Sequence, residues 1–435
     1  MVLSLLTRSF LLGLLAFLPS PSVYARPVVI SIDAGSNNGA QIGTFIGLEA
    51  KKNFPELEKR YDSYLAFLLS PSQFKQLLPQ VNSLKAAIDP DYQAEVNAIA
   101  AVWQLNTLDK LGDNKLSVNE FWLLQLLPDL TAVNKGSALA IANRSDKNPI
   151  AARNLDWKST PELRSLQTIN IYQYEDRTLV SLGFAGLGGV INGFNDQGLF
   201  VSLLDATEQQ ASTSLLPQNS SSFDLRTLLK HFDKIAPAGH ELAQKSYSRG
   251  HQVLFADQGN IAVLEQPAGE IGKLRKTHSA IINEMPWNHN EQLAVVNCFV
   301  LKASAHNCYM SRDHYRWGRF AHLLTAFLDQ NLSVGDVITV MQDQANIRQA
   351  IFNEDTLQSI IFTPKDRALY LYTQAVTKSD EAHPSIEKYQ LIQTASKDKL
   401  IETVLLVLGI GILAAAWLYV LRNGKKNKRP PLSDN

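Results

Sequence analysis

Hydrophobic spacing divides the chain into a helical first part and a strand-rich second part. Before residue 130 the apolar positions recur at helical spacing, most clearly in 61–69 and 92–108, and 121–130 adds a further apolar segment. After residue 136 the apolar runs have strand length and are separated by polar or glycine-rich turns. The pattern predicts an α+β protein in which helices come first and a set of strands follows.

A β-hairpin predicted over 136–157 carries the candidate chemistry. Ser137 opens a small and apolar run that is typical of a buried strand, and 143–148 has the composition of a polar turn before the strand returns. A hairpin of this length brings Arg153 and Asp156 back beside Ser137. A hydroxyl, a guanidinium and a carboxylate would then meet at one end of a sheet. An ordinary hairpin with a structural Arg–Asp pair is the alternative interpretation.

The strand pattern continues through the second half of the chain. A glycine-rich hairpin is predicted over 186–199, a Ser-rich linker over 212–222 and a helix over 225–232. Further strands are predicted at 169–172, 179–182, 251–255, 261–265, 295–299, 359–362 and 368–372.

The first and last parts of the sequence predict an export signal and a membrane span. Residues 1–25 combine the basic Arg8, an apolar centre and a small-residue cleavage site, which predicts a secretory signal peptide; an anchor that stays attached is the alternative. Residues 403–421 form an apolar run long enough to span a bilayer, and the basic segment 422–435 follows it. The positive-inside rule then predicts a single-pass membrane protein with an extracytoplasmic body and a cytoplasmic tail.

Composition narrows the classes of function. The formal net charge is zero and 19% of the residues are charged, without a basic stripe, so no nucleic-acid partner is predicted. The His residues lack ligand spacing, so no metal is predicted, and nothing indicates another cofactor. Residues 109–120 resemble a calcium loop with a ligand and the turn glycine replaced; a solvated loop is the preferred interpretation. An exported protein allows a disulfide, and Cys298 and Cys308 are the two residues available to form one.

The segment from Ser137 to Asp156 resembles the nucleophile region of the N-terminal nucleophile (Ntn) hydrolases. In acid ceramidase, N-acylethanolamine acid amidase, choloylglycine hydrolase and isopenicillin-N acyltransferase, a strand begins with Cys and a GRN-x-D or R-x-x-D element follows on the returning strand. Here the element is Ala152-Arg153-Asn154-Leu155-Asp156, and the same spacing leads back to Ser137. The family Cys is therefore a Ser in this chain, as it is in other Ntn branches such as the penicillin acylases.

The resemblance implies cleavage of the Gly136–Ser137 bond, which frees an α-amine on Ser137. An α-amine has an ordinary pKa of about 8, so it can act as the base for its own hydroxyl. Asp156 would orient this amine, and Arg153 would fix the carboxylate and polarise the site. Gly136 suits self-cleavage because its carbonyl group, with no side chain beside it, is easily approached.

The resemblance extends to later segments. Residues 186–198 match a glycine pattern of the choloylglycine and acyltransferase groups. Asp205 falls where choloylglycine hydrolases place an oxyanion-binding Asn, but a carboxylate would repel that charge, so Asp205 is predicted only as a pocket residue. Asn297 is the candidate oxyanion donor, with a structural Asn at a strand end as the alternative. Arg312 and Arg316 are candidates for substrate contact, with surface salt bridges as the alternative.

The predicted fold is a four-layer αββα Ntn-hydrolase sandwich with a helical N-terminal pro-segment and a C-terminal transmembrane helix. The predicted function is hydrolysis of a linear amide in an N-acyl small molecule through an acyl-enzyme on Ser137, with acyl transfer as a close variant. The alternative is a non-catalytic, membrane-tethered binding protein on the same fold. The predicted segments are the signal peptide 1–25, the pro-segment or small subunit 26–136, the catalytic domain or large subunit 137–385, a juxtamembrane linker 386–402, the transmembrane helix 403–421 and the cytoplasmic tail 422–435.

Overall fold

The described part of the chain lies between the predicted signal peptide and the predicted membrane span. In the computed structural model, the described residues are 26–142, 148–206, 219–304, 308, 311–327, 330–345, 348–376 and 385–392. The signal peptide, the apolar run 403–421 and the turn residues 143–147 of the predicted hairpin lie outside this range.

Side-chain caps set the starts of the N-terminal helices. Asn38, Ser70 and Ser117 each accept a hydrogen bond from a backbone N–H of the first helical turn in a capping box, and Asp89 accepts one from Asp91. The helical character predicted for this part of the chain is therefore confirmed. The helices are α1 (Gly39–Asn53), α2 (Leu57–Leu68), α3 (Pro71–Ala87), α4 (Pro90–Trp103), α5 (Val118–Gln125) and α6 (Leu127–Leu130).

The N-terminal helices share a hydrophobic core with the strands that follow. Trp103 is buried and packs its ring against Tyr61 and Phe121. Trp157, from the returning strand of the hairpin, donates its indole N–H to the Tyr64 hydroxyl at 2.7 Å. Aromatic side chains bury large apolar areas, so contacts of this kind stabilise the attachment of the N-terminal segment.

An eight-stranded sheet begins with a strand that the helical pattern did not predict. β1 (Val28–Asp33) pairs in parallel with β4 (Gln167–Gln173). Its β-branched, alternating sequence suits a strand, but its partner is far along the chain. From β4 onward the neighbours are antiparallel. The other strands are β5 (Thr178–Phe184), β6 (Asn192–Asn195), β7 (Phe200–Asp205), β8 (His251–Ala256), β9 (Ile261–Gln266) and β10 (Lys273–Arg275).

A six-stranded antiparallel sheet contains the predicted hairpin. β2 (Asn134–Ile141) and β3 (Ile150–Trp157) pair along their whole length, which confirms the hairpin. The strand predicted over 295–299 lies earlier in the structure, where β11 (Gln292–Val295) ends before Asn297. The sheet order is β11–β2–β3–β12–β13–β14, where the last three strands are β12 (Thr356–Thr363), β13 (Ala368–Thr373) and β14 (Glu387–Tyr389).

The two sheets contact each other and carry helices on both sides, which makes a mixed α/β fold. Phe362 of β12 stacks on Phe194 and Phe200 of the eight-stranded sheet. α8 (Ser221–His231) and α9 (Ile235–Ala243) contact the eight-stranded sheet, whereas α10 (Ser311–Leu324) and α11 (Val334–Met341) contact the six-stranded one. The remaining short helices are α7 (Pro161–Arg164) and a 3₁₀ helix (Thr325–Phe327).

The predicted single-pass membrane localisation is corrected by the helices of the structure. Across the described ranges, no helix is both long enough and apolar enough to cross a membrane. The longest of them, α3, has 17 residues and exposes polar side chains such as Lys75, whereas a spanning helix needs about 20 mostly apolar residues. The run 403–421, on which the predicted topology depended, lies outside the described residues.

Candidate active site

A cavity of about 430 Å³ opens where the hairpin begins, at one end of the six-stranded sheet. The start of β2, the end of β3, the segment after β11 and the first turns of α10 contribute side chains to it. Most of the lining residues are charged or polar, and both signs of charge are present. The lining residues are Ala132, Val133, Lys135, Asp156, Lys158, Asn297, Arg312, Asp313, Arg316 and Asp355.

Strand register places Ser137 immediately behind this cavity. Lys135 pairs with Asp156 and Ser137 pairs with Asn154, so these four side chains share one face of the sheet. Lys135 and Asp156 line the cavity, whereas Ser137 lies one step further in and is fully buried. Its Oγ has no hydrogen-bond partner among the described residues. Lys135 and Gly136 therefore stand between the hydroxyl and the cavity.

Gly136 occupies a conformation that excludes other residues. Its φ of +141° lies outside the range that residues with a side chain readily adopt. A Cβ atom added there would be 1.9 Å from the carbonyl oxygen of Asn154 on the paired strand. The bond between Gly136 and Ser137 thus follows a position that only glycine can occupy without strain.

The Asn297 side chain, on the segment after β11, contacts the backbone of Gly136. Its Oδ1 accepts a hydrogen bond from the Gly136 N–H at 2.9 Å. An amide side chain has one acceptor and one two-proton donor, so Nδ2 is the group that remains to donate to a developing oxyanion. The structure therefore brings Asn297 and Gly136 together, although they are far apart in sequence.

The Asn297 segment is tied to its surroundings on both sides. Gln252 Nε2 donates to the Val296 carbonyl at 2.6 Å, and Cys298 forms the disulfide with Cys308 that the sequence left open. Further along, Glu265 accepts hydrogen bonds from the backbone N–H groups of Val300 and Leu301. These anchors hold the segment that carries Asn297 in one position.

Asp156 is fixed by three partners. Its Oδ1 accepts from the Thr356 hydroxyl at 2.9 Å, and its Oδ2 accepts from Asn353 Nδ2 at 2.9 Å. Arg316 Nη2 lies 3.1 Å from the same Oδ2 and forms an ion pair with it. A carboxylate held in this way has a defined direction, which is what a group that orients an amine requires.

Arg153 has a different position from the one predicted. Its guanidinium donates to Asn134 Oδ1 at 2.8 Å and to the Lys135 carbonyl at 3.0 Å. Burial lowers the pKa of Arg153 to about 9, while the nearby Asp156 carboxylate opposes that shift. Arg153 therefore holds the chain just before the candidate cleavage bond, and the direct ion pair with Asp156 is made by Arg316.

Of the other predicted pocket residues, Arg312 and Arg316 line the cavity and Asp205 does not. Arg312 is exposed, whereas Arg316 is buried against Asp156. Asp205 lies at the end of β7, outside the cavity lining, with Arg249 Nη2 at 3.3 Å from its Oδ1. Burial raises the pKa of Asp205, and Arg249 and Lys135 oppose the shift. Its Oδ2 is buried without a partner among the described residues.

Three residues of the site were missed by the sequence analysis. Asp313 accepts a hydrogen bond from the Asn297 backbone N–H at 3.3 Å. Asn353 and Thr356, just before and at the start of β12, hold Asp156. Asp313 lies between the candidate residues Arg312 and Arg316 in the sequence. Its hydrogen bond with Asn297 follows only from the fold.

The carboxylates of the loop over 109–120 are used within the loop. Asp109 accepts from the Ser117 hydroxyl and from Asn119, and Glu120 accepts from the backbone N–H groups of Lys110 and Ser117. In the described part of the chain, no group of three or more His, Cys, Asp or Glu side chains is placed to hold a metal ion.

Comparisons with known proteins give partial structural likenesses. No protein-family model matches the sequence, and no curated protein matches it significantly. The chain is similar to an N-acylethanolamine-hydrolyzing acid amidase ortholog from Caenorhabditis elegans, with TM-score 0.42 and 16% identity over 52% of this chain and 92% of that chain. It is also similar to penicillin V acylase from Agrobacterium tumefaciens, with TM-score 0.41 and 11% identity over 59% and 86%.

A third solved structure, a variant of conjugated bile acid hydrolase from Clostridium perfringens, has TM-score 0.38 and 12% identity over 60% of this chain and 98% of that chain. All of these scores are below 0.5, so the likenesses describe partial similarity of shape. The function proposed below therefore rests on the residues of the site.

Proposed function

We propose that the protein is an amidohydrolase of the Ntn type whose nucleophile is Ser137, freed by cleavage of the Gly136–Ser137 bond. The observation that carries this proposal is the environment of that bond. Gly136 has a backbone conformation that suits glycine alone and is hydrogen-bonded to Asn297, the Ser137 hydroxyl is buried beside the cavity, and Asp156 is held on the same face by fixed partners. This set supplies a nucleophile, an oxyanion donor and a carboxylate for an amine.

Self-cleavage would proceed by acyl shift and hydrolysis. The Ser137 Oγ attacks the Gly136 carbonyl carbon, the C–N bond breaks as the ester forms, and the hydroxyl proton passes to the Ser137 nitrogen. One water molecule then hydrolyses the ester, so that Gly136 ends the first fragment as a carboxylate and Ser137 begins the second with an α-amine. Asn297 Nδ2 stabilises the oxyanion, and Arg153 holds the Lys135 carbonyl in place.

Turnover would use the new amine as the base. The amine takes the proton from Oγ, Oγ attacks the substrate carbonyl carbon, and the proton passes to the leaving amine of the substrate. Water then releases the acyl group as a carboxylic acid and restores Ser137. A second amine in the place of water would give acyl transfer. Asp156 orients the amine of Ser137 throughout.

The proposed fold is the four-layer αββα arrangement, with 26–136 as a small subunit and 137–385 as the large subunit. The cut would not separate them, because the core is shared across it. Glu95 of α4 forms a bidentate pair with Arg226 of α8 at 2.7 and 2.8 Å, and both side chains are fully buried. This pair joins the two proposed subunits in the interior.

The cavity favours a small-molecule amide with polar groups near the scissile bond. Lys158, Arg312 and Asp355 line it, and Arg312 is exposed and available for a polar contact with the substrate. Departure of Lys135 and Gly136 from the active centre would open the way from the cavity to Ser137. Arg316 would act through Asp156, and Asp205 would lie beside the enlarged site.

The test is an assay of amide hydrolysis with a panel of N-acyl amino acids, N-acylethanolamines, ceramides, conjugated bile salts and penicillins. Turnover of at least one substrate should be lost in Ser137→Ala and retained in Ser72→Ala, an exposed serine on α3. Turnover that survives Ser137→Ala would place the chemistry elsewhere. Binding of a panel member without turnover would favour the binding-protein alternative.

A further inference from the structure

The first turns of α10 present two buried charges of opposite sign to the candidate site. Asp313 and Arg316 are three residues apart, so they lie on the same side of the helix. Asp313 is 5% exposed and Arg316 is 2% exposed. Charges are buried in this way only when partners compensate for the loss of water. The partners of these two residues are therefore informative.

Each charge contacts a different half of the site. Arg316 pairs with Asp156, which would orient the amine, and donates through Nε to the Ala350 carbonyl at 3.1 Å. Asp313 accepts from the backbone N–H of Asn297, which would donate to the oxyanion. One helix turn thus connects the carboxylate half of the site with the oxyanion half.

Asn297 depends on such a contact because its strand has already ended. β11 stops at Val295, so the ladder of the sheet does not hold the Asn297 N–H. The Asn297 N–H donates instead to the Asp313 carboxylate at 3.3 Å, and the charge on the acceptor favours this bond. The bond to Asp313 therefore fixes the backbone from which the Asn297 side chain reaches Gly136.

We propose that Asp313 is a positioning residue that acts through Asn297, holding its amide group where the oxyanion forms. This role rests on the function proposed above. Asp313 has Coulombic interactions with four charged groups, namely Lys135, Asp205, Arg312 and Arg316. Burial raises the pKa of Asp313, and the three cations and the Asn297 N–H oppose this shift.

A double-mutant cycle between Asp313 and Asn297 tests the proposal. Asp313→Asn should lower kcat roughly tenfold with little change in KM, because the lost interaction is a hydrogen bond to a charged group. In an Asn297→Ala background the same substitution should have no further effect on kcat, since the group it positions is gone. An equal loss of kcat in both backgrounds, or a loss confined to KM, would overturn the proposal.

Hydrogen–deuterium exchange at the Asn297 amide gives a readout that needs no activity. Exchange should be faster in Asp313→Asn and unchanged in Asp366→Asn, a matched substitution at an exposed position in the β12–β13 turn. Unchanged exchange in Asp313→Asn would overturn the positioning role by itself. A wild-type protein without cleavage or turnover would instead end the proposed function, so the two failures are distinguishable.

Discussion

At the scale of single residues, the candidate site is built from positions that tolerate little change. Gly136 has no room for a side chain, Ser137 is enclosed, and Asn297 must present one face of its amide to the Gly136 N–H. Each position is fixed by a contact with a different element. Substitutions should therefore have effects that differ in kind, and these can be separated by experiment.

Gly136→Ala should destabilise the protein by about 1–3 kcal/mol or more, because the new methyl group would meet the Asn154 carbonyl and the backbone φ is positive. Chemical denaturation measures the change. Gly259→Ala is the matched control: no heavy atom lies within 4 Å of its added Cβ, so its effect should stay within about 0.5 kcal/mol. Equal stability of the two variants would contradict the steric restriction at Gly136.

Asn297→Ala should lower amide turnover by about 10²–10³-fold, as expected for the loss of one oxyanion donor. It should also slow cleavage at Gly136–Ser137, since Asn297 holds the Gly136 N–H. Asp156→Asn should reduce turnover, because it removes the charge that orients the amine that cleavage frees. Rates of fragment appearance and of substrate hydrolysis provide the two measurements. Unaltered kinetics in Asn297→Ala would remove it from the site.

At the scale of elements, strands that pair with a nearby segment were predictable from the sequence, whereas a strand that pairs with a distant segment was not. The hairpin β2–β3 and the pairs β8–β9 and β12–β13 were predictable because each is closed by nearby turns with clear alternation. β1 was missed because its partner, β4, is distant in sequence. For the same reason no local signal could show that Arg316, rather than Arg153, pairs with Asp156.

The packing of α4 against α8 gives a prediction at this scale. Glu95→Gln leaves the buried Arg226 without its counter-charge and should cost about 3–5 kcal/mol of unfolding free energy. Arg226 also lies over the rings of Tyr92 and Tyr172, so it cannot move easily to water. Glu56→Gln, at an exposed pair with Lys59, should cost less than about 1 kcal/mol. Similar losses in both variants would refute the special role of the buried pair.

At the scale of the whole molecule, two buried titratable groups set opposite dependences of stability on pH. Burial raises the pKa of Asp129 to about 6, although hydrogen bonds from Ser220 and Ser221 oppose it. Burial lowers the pKa of His251 to about 4. The folded state therefore binds more protons at Asp129, and fewer at His251, than the unfolded state does.

The Asp129 contribution is present at low pH and is lost as pH rises from about 3.8 to about 6. The His251 contribution is present above pH 6.5 and is lost as pH falls from 6.5 to about 4. Each amounts to roughly 3 kcal/mol at its limit. Relative to wild type, Asp129→Asn should lose less stability on raising the pH through its window, and His251→Gln less on lowering it. Parallel unfolding curves for all three proteins would contradict these shifts.

The proposed function depends most on cleavage of the bond between Gly136 and Ser137. Intact mass and N-terminal sequencing of the purified protein, compared with Ser137→Ala, test it directly. We expect two fragments that stay together under native conditions, one ending at Gly136 and the other beginning with Ser137, and a single chain in the variant. A wild-type protein that remains uncut through long incubation at acidic and neutral pH, or one cut at another bond, would contradict it.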